Sequence, residues 1–333
     1  MKKLNVIILL LLITSPMFAS HAVRVVFLPN LLQPRKIKVD ENRMYITEKI
    51  SVYIFSLTDF KLIKRFGKEG GGPGEFKSRI TRLEVQPDCI ILNSVGKVSY
   101  FTKDGTFIKE MKTLSPDLRI KSFGNGFVGE RMVSENNTLY NSVDIYDAAL
   151  KKIAEVYRQE REVQVRGKGT KVFAHPRPYY IWDGKLFIVK GTDFVIDVLD
   201  KSGKKQYAIT HKYQKIKVTS DDKKRVMNHL ETDPEIKLYL ELIKPIIFPD
   251  YFPAIRNYHV TDGKVYVLTY KEEKGKSEWL VFDIKGKFLM KLLLPYKYKN
   301  PVDEYPAVIK NEKLYQLVEN QDTEEWELHI IKI

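Results

Sequence analysis

The feature that most constrains this chain is a pair of short sequence patterns that recurs six times, always in the same order. The first pattern is an aromatic or aliphatic pair within an apolar segment, and the second ends the segment that follows it. The first pattern comprises Met44-Tyr45, Ile90-Ile91, Phe127-Val128, Leu186-Phe187, Val265-Tyr266 and Leu314-Tyr315. The second comprises Ile54-Phe55-Ser56, Tyr100-Phe101-Thr102, Ile145-Tyr146-Asp147, Val198-Leu199-Asp200, Val281-Phe282-Asp283 and Ile330-Ile331-Lys332.

Each copy has the pattern of a unit of four short strands. Apolar and polar residues alternate from residue 36 onward, and Gly, Asp, Asn and Pro separate the segments. Repeats of about 40 to 50 residues with four strands each are typical of a β-propeller, whose radial sheets leave short, protected edges. We therefore predict an all-β fold, a six-bladed β-propeller. The alternative is a β-sandwich, but a sandwich gives no reason for two patterns to keep a fixed order.

The two ends of the chain are expected to meet in one blade. The sixth copy contains three strands before the sequence reaches Ile333. A strand-forming run, Val23 to Leu28, precedes the first complete copy. We predict that this N-terminal strand supplies the fourth strand of the last blade and closes the ring.

Residues 1 to 22 have the pattern of a secretory signal peptide. Lys2 and Lys3 precede an apolar run, and small residues lead to a cleavage site after Ala22, with Ala19 as the competing site. The run is about half of the roughly 20 residues that cross a bilayer, so an uncleaved anchor is the minor alternative. We predict a signal peptide at 1–22 and a single propeller domain at 23–333. The protein is then secreted or periplasmic, with no integral membrane span after cleavage.

Composition narrows the class of partner. The formal net charge is +14, which favours acidic partners, and export removes the protein from most nucleic acid. The single cysteine, Cys89, excludes an intramolecular disulfide framework and a Cys-rich zinc site. We therefore expect a monomer, stabilised by its core, with an acidic partner that is not a nucleic acid.

Two stretches resemble a known family. The segment F-G-K-E-G-G-G-P-G-E-F, Phe66 to Phe76, resembles the segment between blades in NHL-type propellers. The pattern from Val281 to Phe288, V-F-D-I-K-G-K-F, is similar to strands of NHL-repeat and TolB-like six-bladed propellers. The resemblance implies an exported propeller of a group whose members mostly bind proteins, sugars or peptides, so the expected partner is a protein, peptide or anionic glycan. It also implies an alternative, because some members hydrolyse small esters or lactones.

One insertion carries the helix signals of this sequence. Between the fourth and fifth copies, at about 219–247, Ser220 is expected to cap a first helix, ahead of two acidic residues. Asp233 followed by Pro234 predicts the start of a second helix, which Pro245 ends. We expect this insertion to dock onto the ring as a cap.

The long connections between copies define the face on which a ligand is expected. They cover residues 67–79, 158–177, 211–255 and 294–305, whereas the hairpin turns within copies are short. Long loops on a rigid scaffold commonly carry binding residues. This basic face carries the candidate ligand-binding residues, which are His175, Arg177, Tyr180, Arg256 and His259. Arginine forks and tyrosine hydroxyls suit carboxylates, sulfated sugars or acidic peptides, and we hypothesise that Arg177 and Arg256 converge at the channel mouth.

No local motif for catalysis is present. The histidines lack metal-ligand spacing, the glycine-rich stretch at residues 67–74 lacks the features of a phosphate-binding loop, and no Gly-x-Ser-x-Gly occurs. We predict a non-enzymatic binding or scaffold propeller with no cofactor and no catalytic residue. The alternative is a lactonase-like, metal-dependent hydrolase or lyase that holds a divalent cation in the central channel.

Overall fold

The chain folds into a six-bladed β-propeller, as the sequence predicts. A computed structural model describes residues 22–161, 169–173 and 179–333. Six four-stranded antiparallel sheets follow one another along the chain. The first repeated pattern lies on the second strand of every blade, and the second pattern ends at or just beyond the third strand.

The strands are numbered in chain order. The N-terminal strand is β1 (Val23–Phe27). Blades 1 and 2, with a two-stranded sheet between them, comprise β2 (Lys36–Val39), β3 (Arg43–Glu48), β4 (Ser51–Ser56), β5 (Leu62–Phe66), β6 (Lys68–Glu69), β7 (Glu75–Phe76), β8 (Arg82–Val85), β9 (Cys89–Ser94), β10 (Lys97–Thr102) and β11 (Phe107–Lys112). Blades 3 and 4, with β16 between them, comprise β12 (Arg119–Phe123), β13 (Gly126–Glu135), β14 (Thr138–Tyr146), β15 (Lys152–Glu160), β16 (Thr170–Lys171), β17 (Tyr179–Trp182), β18 (Lys185–Val189), β19 (Val195–Leu199) and β20 (Lys205–Thr210).

The second half of the ring begins with the insertion. It comprises α1 (Ser220–Thr232), α2 (Pro234–Lys237), α3 (Leu240–Ile243) and β21 (Ile246–Ile247), which pairs with β16. Blades 5 and 6 comprise β22 (Asn257–Thr261), β23 (Lys264–Glu273), β24 (Lys276–Asp283), β25 (Phe288–Leu294), β26 (Ala307–Lys310), β27 (Lys313–Glu319) and β28 (Trp326–Lys332).

The N-terminal strand closes the ring, which confirms the prediction. Strand β1 is the outermost strand of blade 6 and pairs antiparallel with β28, from Val23 opposite Ile331 to Phe27 opposite Glu327. The ladder continues into a hydrogen bond of 2.8 Å from the Leu28 amide to the Trp326 carbonyl. Residues that are some 300 positions apart in the sequence therefore share one sheet, and blade 6 is complete only with both ends.

Apolar cores fill the interfaces between neighbouring blades. Met44, Phe55 and Leu328 belong to the core between blades 6 and 1. Trp279, which is fully buried, and Leu314 belong to the core between blades 5 and 6. Side chains alternate along a strand, so one set packs on the preceding blade and the other set faces the following blade.

The helical insertion lies between blades 4 and 5, as predicted, although its first cap differs by one residue. The N-cap of α1 is Thr219 and not Ser220, because the Thr219 hydroxyl accepts a hydrogen bond from the Asp222 amide while the Asp222 carboxylate accepts one from the Thr219 amide. Asp233 caps α2 as expected. Val226, Leu230 and Leu240 are the buried residues of the apolar cluster that seats the insertion against the neighbouring loops.

Because β1 closes the ring, substitutions of two neighbouring valines in this strand should lower the free energy of unfolding by different amounts. Val26 packs against the core between blades 6 and 1, whereas Val25 is 43% exposed. We expect Val26→Asp to lower the free energy of unfolding by about 2 kcal/mol, because it places a carboxylate against apolar side chains. Val25→Asp, the matched control, should change it by less than about 0.5 kcal/mol. Urea unfolding of the mature chain, residues 23–333, measures both, and equal effects would contradict this packing of β1.

Candidate functional site

The first strands of the blades surround the central channel, and their register places six residues at one level. Each of these residues pairs with the second residue of the first repeated pattern: Lys38 with Tyr45, Glu84 with Ile91, Lys121 with Val128, Tyr180 with Phe187, His259 with Tyr266, and Val308 with Tyr315. We call these six residues the channel ring. Because every first strand starts at the long-loop face, residues earlier in these strands lie nearer that face.

The channel is rich in cations between the channel ring and the long-loop face. The cations on the first three blades are Lys36, Lys38, Arg82, Arg119 and Lys121. Two carboxylates accompany them, Glu84 in the channel ring and Glu130 on β13. Positive charge is therefore in excess on this side of the channel.

Side chains from different blades meet inside the channel. The Arg82 guanidinium of blade 2 donates to the Tyr179 hydroxyl of blade 4 at 2.7 Å and pairs with Glu130 of blade 3 at 3.2 Å. Its side chain is 14% exposed. Lys121 donates to the Tyr179 carbonyl at 3.2 Å, and its ammonium lies 4.4 Å from the centre of the Tyr179 ring.

Two lysines of the channel ring are not in ion pairs with the carboxylates that the structure describes. Among the residues that the structure describes, no carboxylate lies within 4 Å of the Lys38 or Lys121 ammonium. Burial, with the neighbouring Arg82 cation, lowers the pKa of Lys121 to about 7. Burial also lowers the pKa of Lys38 and raises that of Glu84, so the site disfavours charge of either sign.

Two predicted residues, Tyr180 and His259, lie together in the channel ring. The Tyr180 hydroxyl is 3.2 Å from His259 Nδ1, and its ring packs edge-on against Tyr258. His259 is 6% exposed, and its Nε2 is buried with no hydrogen-bond partner among the described residues. Burial and the nearby charge of Lys38 lower the pKa of His259 to about 3, so the imidazole is neutral at physiological pH.

The other predicted residues do not join this pair. His175 and Arg177 lie outside the described residues. Arg256 precedes β22 on the long-loop face and pairs through Nε with Glu304 at 3.3 Å. Its guanidinium stacks 3.7 Å from the ring centre of Tyr298 and 4.9 Å from that of Tyr270. It therefore borders a separate cleft between blade 5 and the helical insertion.

This cleft, which we call the cap cleft, has a volume of about 370 Å³. Phe252 stacks on Tyr270 with ring centres 4.4 Å apart, and Phe173 meets Phe252 edge-on at 4.7 Å. Helix α1 and the loop before it form the opposite wall through Thr219, Asp222, Arg225 and Val226. The cap cleft thus combines an aromatic wall with Arg256, which contacts Glu304 and the rings of Tyr270 and Tyr298.

A second concavity lies on the opposite face. It is a shallow depression between the hairpin turns of blade 4, lined by Asp183, Lys185, Asp200 and Lys201 among others. It is open to solvent and has no aromatic wall. Its form is that of a groove between exposed turns.

Sequence analysis missed most of the channel ring, although a signal for it is present. The channel-ring residue is seven positions before the second residue of the first repeated pattern in all six blades. Reading this position along the chain gives Lys38, Glu84, Lys121, Tyr180, His259 and Val308. The first strands are short, so their own alternation of apolar and polar residues is a weak signal. The first repeated pattern, on the second strand, locates the channel-ring position more reliably.

Metal-binding chemistry has little support from the side chains present. Within residues 22–161, 169–173 and 179–333, no group of three or more His, Cys, Asp or Glu side chains is placed to hold a metal ion. One carboxylate, Glu84, stands in the channel ring among lysines. A divalent cation at this level would meet repulsion from Lys38 and Lys121.

Comparison with solved structures identifies proteins of similar fold. A Bacteroides fragilis protein described as exported has a TM-score of 0.50 and 13% identity, over 95% of this chain and 98% of its own. A member of the DUF4221 family from Bacteroides vulgatus has a TM-score of 0.49 and 12% identity, over 94% of this chain and 98% of its own. No protein-family model and no curated protein matches the chain. At such identities the likeness to the first protein concerns the fold alone.

The helices of the structure are short. Among the described residues, no helix has the length and the apolar character needed to cross a membrane.

The buried state of His259 predicts a loss of stability in acid. Its pKa is about 3 in the folded protein and ordinarily 6.5, so between these values only the unfolded chain binds the proton. The free energy of unfolding should fall as the pH decreases through this window. We expect the fall from pH 6.5 to pH 4.5 to be about 2 kcal/mol larger in the wild type than in His259→Gln. Urea unfolding at several pH values measures the difference, and parallel curves would refute it.

Proposed function

We propose that this protein is an exported, non-enzymatic binding propeller that recognises an acidic protein, peptide or glycan on its long-loop face. The observation that carries the proposal is the cap cleft, where Arg256 stands between the rings of Tyr270 and Tyr298. The signal-peptide pattern and the NHL- and TolB-like repeats support export and a binding role. A protein of similar fold is also described as exported.

The geometry of Arg256 suits recognition of a carboxylate or sulfate. Glu304 pairs with Nε at 3.3 Å, and the two terminal nitrogens donate no hydrogen bond to any of the described residues. These nitrogens form the fork that binds an oxyanion at two points. Asn257 and Tyr296 both donate to Glu304, so the carboxylate that orients Arg256 is itself fixed.

The walls of the cap cleft add a second element of recognition. Phe252, Tyr270 and Tyr298 present apolar ring surface, and Thr219 and Asn300 add polar groups. The charged residues of the lining are three cations and two carboxylates: Lys217, Arg225, Arg256, Asp222 and Glu272. Ligand sites commonly combine a mostly apolar concave surface with a few fixed polar groups, at volumes of roughly 300 to 1,000 Å³. The cap cleft fits one sugar ring or one side chain of a larger ligand.

The proposal is tested by finding a ligand and then removing the fork of Arg256. Arrays of acidic oligosaccharides and acidic peptides supply the candidates, and calorimetry measures the dissociation constant of the best binder. We expect Arg256→Gln to weaken it by at least about tenfold, since hydrogen bonds to charged groups contribute about 1.5–3 kcal/mol. Arg256→Lys should recover little of the loss, because an ammonium lacks the planar fork.

The matched control removes one positive charge from the opposite face. Lys285 is an exposed residue in the hairpin turn between β24 and β25. Lys285→Gln changes the net charge as Arg256→Gln does, so a general electrostatic effect would appear equally in both. Binding that is as strong in Arg256→Gln as in Lys285→Gln would overturn the assignment of the cap cleft.

A further inference from the structure

The central channel contains a cluster of cations whose charge the protein leaves partly uncompensated. Lys38, Arg82 and Lys121 come from three successive blades and face the same channel. Glu130 pairs with Arg82, and Glu84 accepts a hydrogen bond from the Ser122 amide at 3.3 Å. Neither lysine of the channel ring therefore has a carboxylate at ion-pair distance among the described residues.

Such a cluster is unfavourable without a counter-charge. Burial is the main cause that lowers the pKa of both lysines; the Arg82 cation adds to it for each of them, and Lys38 adds to it for Lys121. The carboxylates Glu84, for both lysines, and Glu130, for Lys121, act in the opposite direction without cancelling the effect of burial. Placing like charges in a partly desolvated channel costs free energy, and an anion between them removes that cost. The cluster is thus poised to gain free energy when an oxyanion enters.

His259 adds a neutral donor at the same level of the channel. Its Nδ1 is engaged with the Tyr180 hydroxyl, and its Nε2 is buried without a partner among the described residues. If the tyrosine hydroxyl donates to Nδ1, the ring carries its hydrogen on Nε2. Lys38 lies near enough to His259 for its charge to contribute to the lowered pKa of the imidazole, so this neutral donor is a neighbour of the cation.

We propose that the channel binds an oxyanion between Lys38 and Lys121, with Arg82 on the long-loop side and His259 as a neutral donor. The ligand class is a sulfate, phosphate or carboxylate group, either as a free ion or as the acidic group of a glycan or peptide. This site is separate from the cap cleft, and it goes beyond the proposed function because it holds whether or not the cap cleft binds a ligand.

Inorganic sulfate is the first probe, because its charge is constant across the pH range of interest. Thermal unfolding and calorimetry at constant ionic strength, with chloride as the balancing ion, measure its binding to the protein. We expect saturable binding that raises the melting temperature of the wild type. Lys38→Gln and Lys121→Gln should each weaken sulfate binding by at least about tenfold. Lys285→Gln is the matched control on the opposite face and should retain it.

The stability of the variants separates a binding role from a structural one. Without sulfate, Lys121→Gln should unfold at the same or a higher temperature than the wild type, since it removes a destabilised charge. If Lys121 had a purely structural role, the Lys121→Gln variant would instead be less stable than the wild type in every buffer. Loss of the sulfate effect together with retained stability supports the proposal, and loss of stability with unchanged sulfate binding overturns it.

Dependence on pH gives a second readout of the same site. The groups that face Lys121 are Lys38, Arg82, Glu84 and Glu130, with Tyr179 and Tyr180 packed on it and His259 across the channel. Because the pKa of Lys121 is lowered to about 7, the charged form is lost as the pH rises above neutrality. Sulfate affinity should therefore fall from pH 6 to pH 9, and Lys121→Gln should flatten this dependence. A wild-type affinity that does not change with pH would contradict the role of Lys121.

A final comparison distinguishes a free ion from an acidic group on a larger ligand. A sulfated monosaccharide is titrated against the same variants as inorganic sulfate. If it binds at least about tenfold more tightly and depends on Lys38 and Lys121, the oxyanion belongs to a glycan. If inorganic sulfate binds equally well or better, the ligand is the free ion. If neither binds, or both bind independently of these lysines, the proposal is wrong.

Discussion

The pairing of β1 with β28 is the interaction on which the rest of the structure depends. Five blades are built from consecutive strands, but blade 6 needs the N-terminal strand to complete its sheet. The contact joins sequence positions that are far apart, so it carries a large loop-closure cost that the ladder and the core around Met44 and Leu328 must offset. Once this pairing forms, every blade packs against a neighbouring blade on both sides, and the six first strands are held around one axis.

Ring closure brings charged side chains of different blades together in the channel. Lys38, Glu84 and Lys121 are separated along the sequence, and the ring brings them to one level because each occupies the same register position of its blade. The cap cleft has a different origin, since it forms where an insertion folds back over blade 5. Both candidate sites are on the side of the long-loop face. The channel site depends on the regular repeat, whereas the cap cleft depends on an insertion that departs from the repeat.

The repeated patterns predict the fold in detail, including the order of strands and the closing strand, because buried strands must place apolar residues at fixed intervals. The sequence could predict Tyr180 and His259 as site residues, since both lie on first strands that follow long connections. The sequence could not predict the stacking of Arg256 between Tyr270 and Tyr298, because this contact joins a crossover, a hairpin strand and a loop. Such contacts depend on how an irregular insertion packs, and no periodicity encodes that.

The central claim is that ring closure brings cations of different blades together around one oxyanion. The most direct test is crystallographic: crystals grown without sulfate or phosphate are soaked in selenate, and the anomalous scattering of selenium locates the ion. The account predicts one peak inside the channel, within hydrogen-bond distance of the ammonium groups of both Lys38 and Lys121. Selenium peaks confined to the outer surface, with none in the channel, would contradict it.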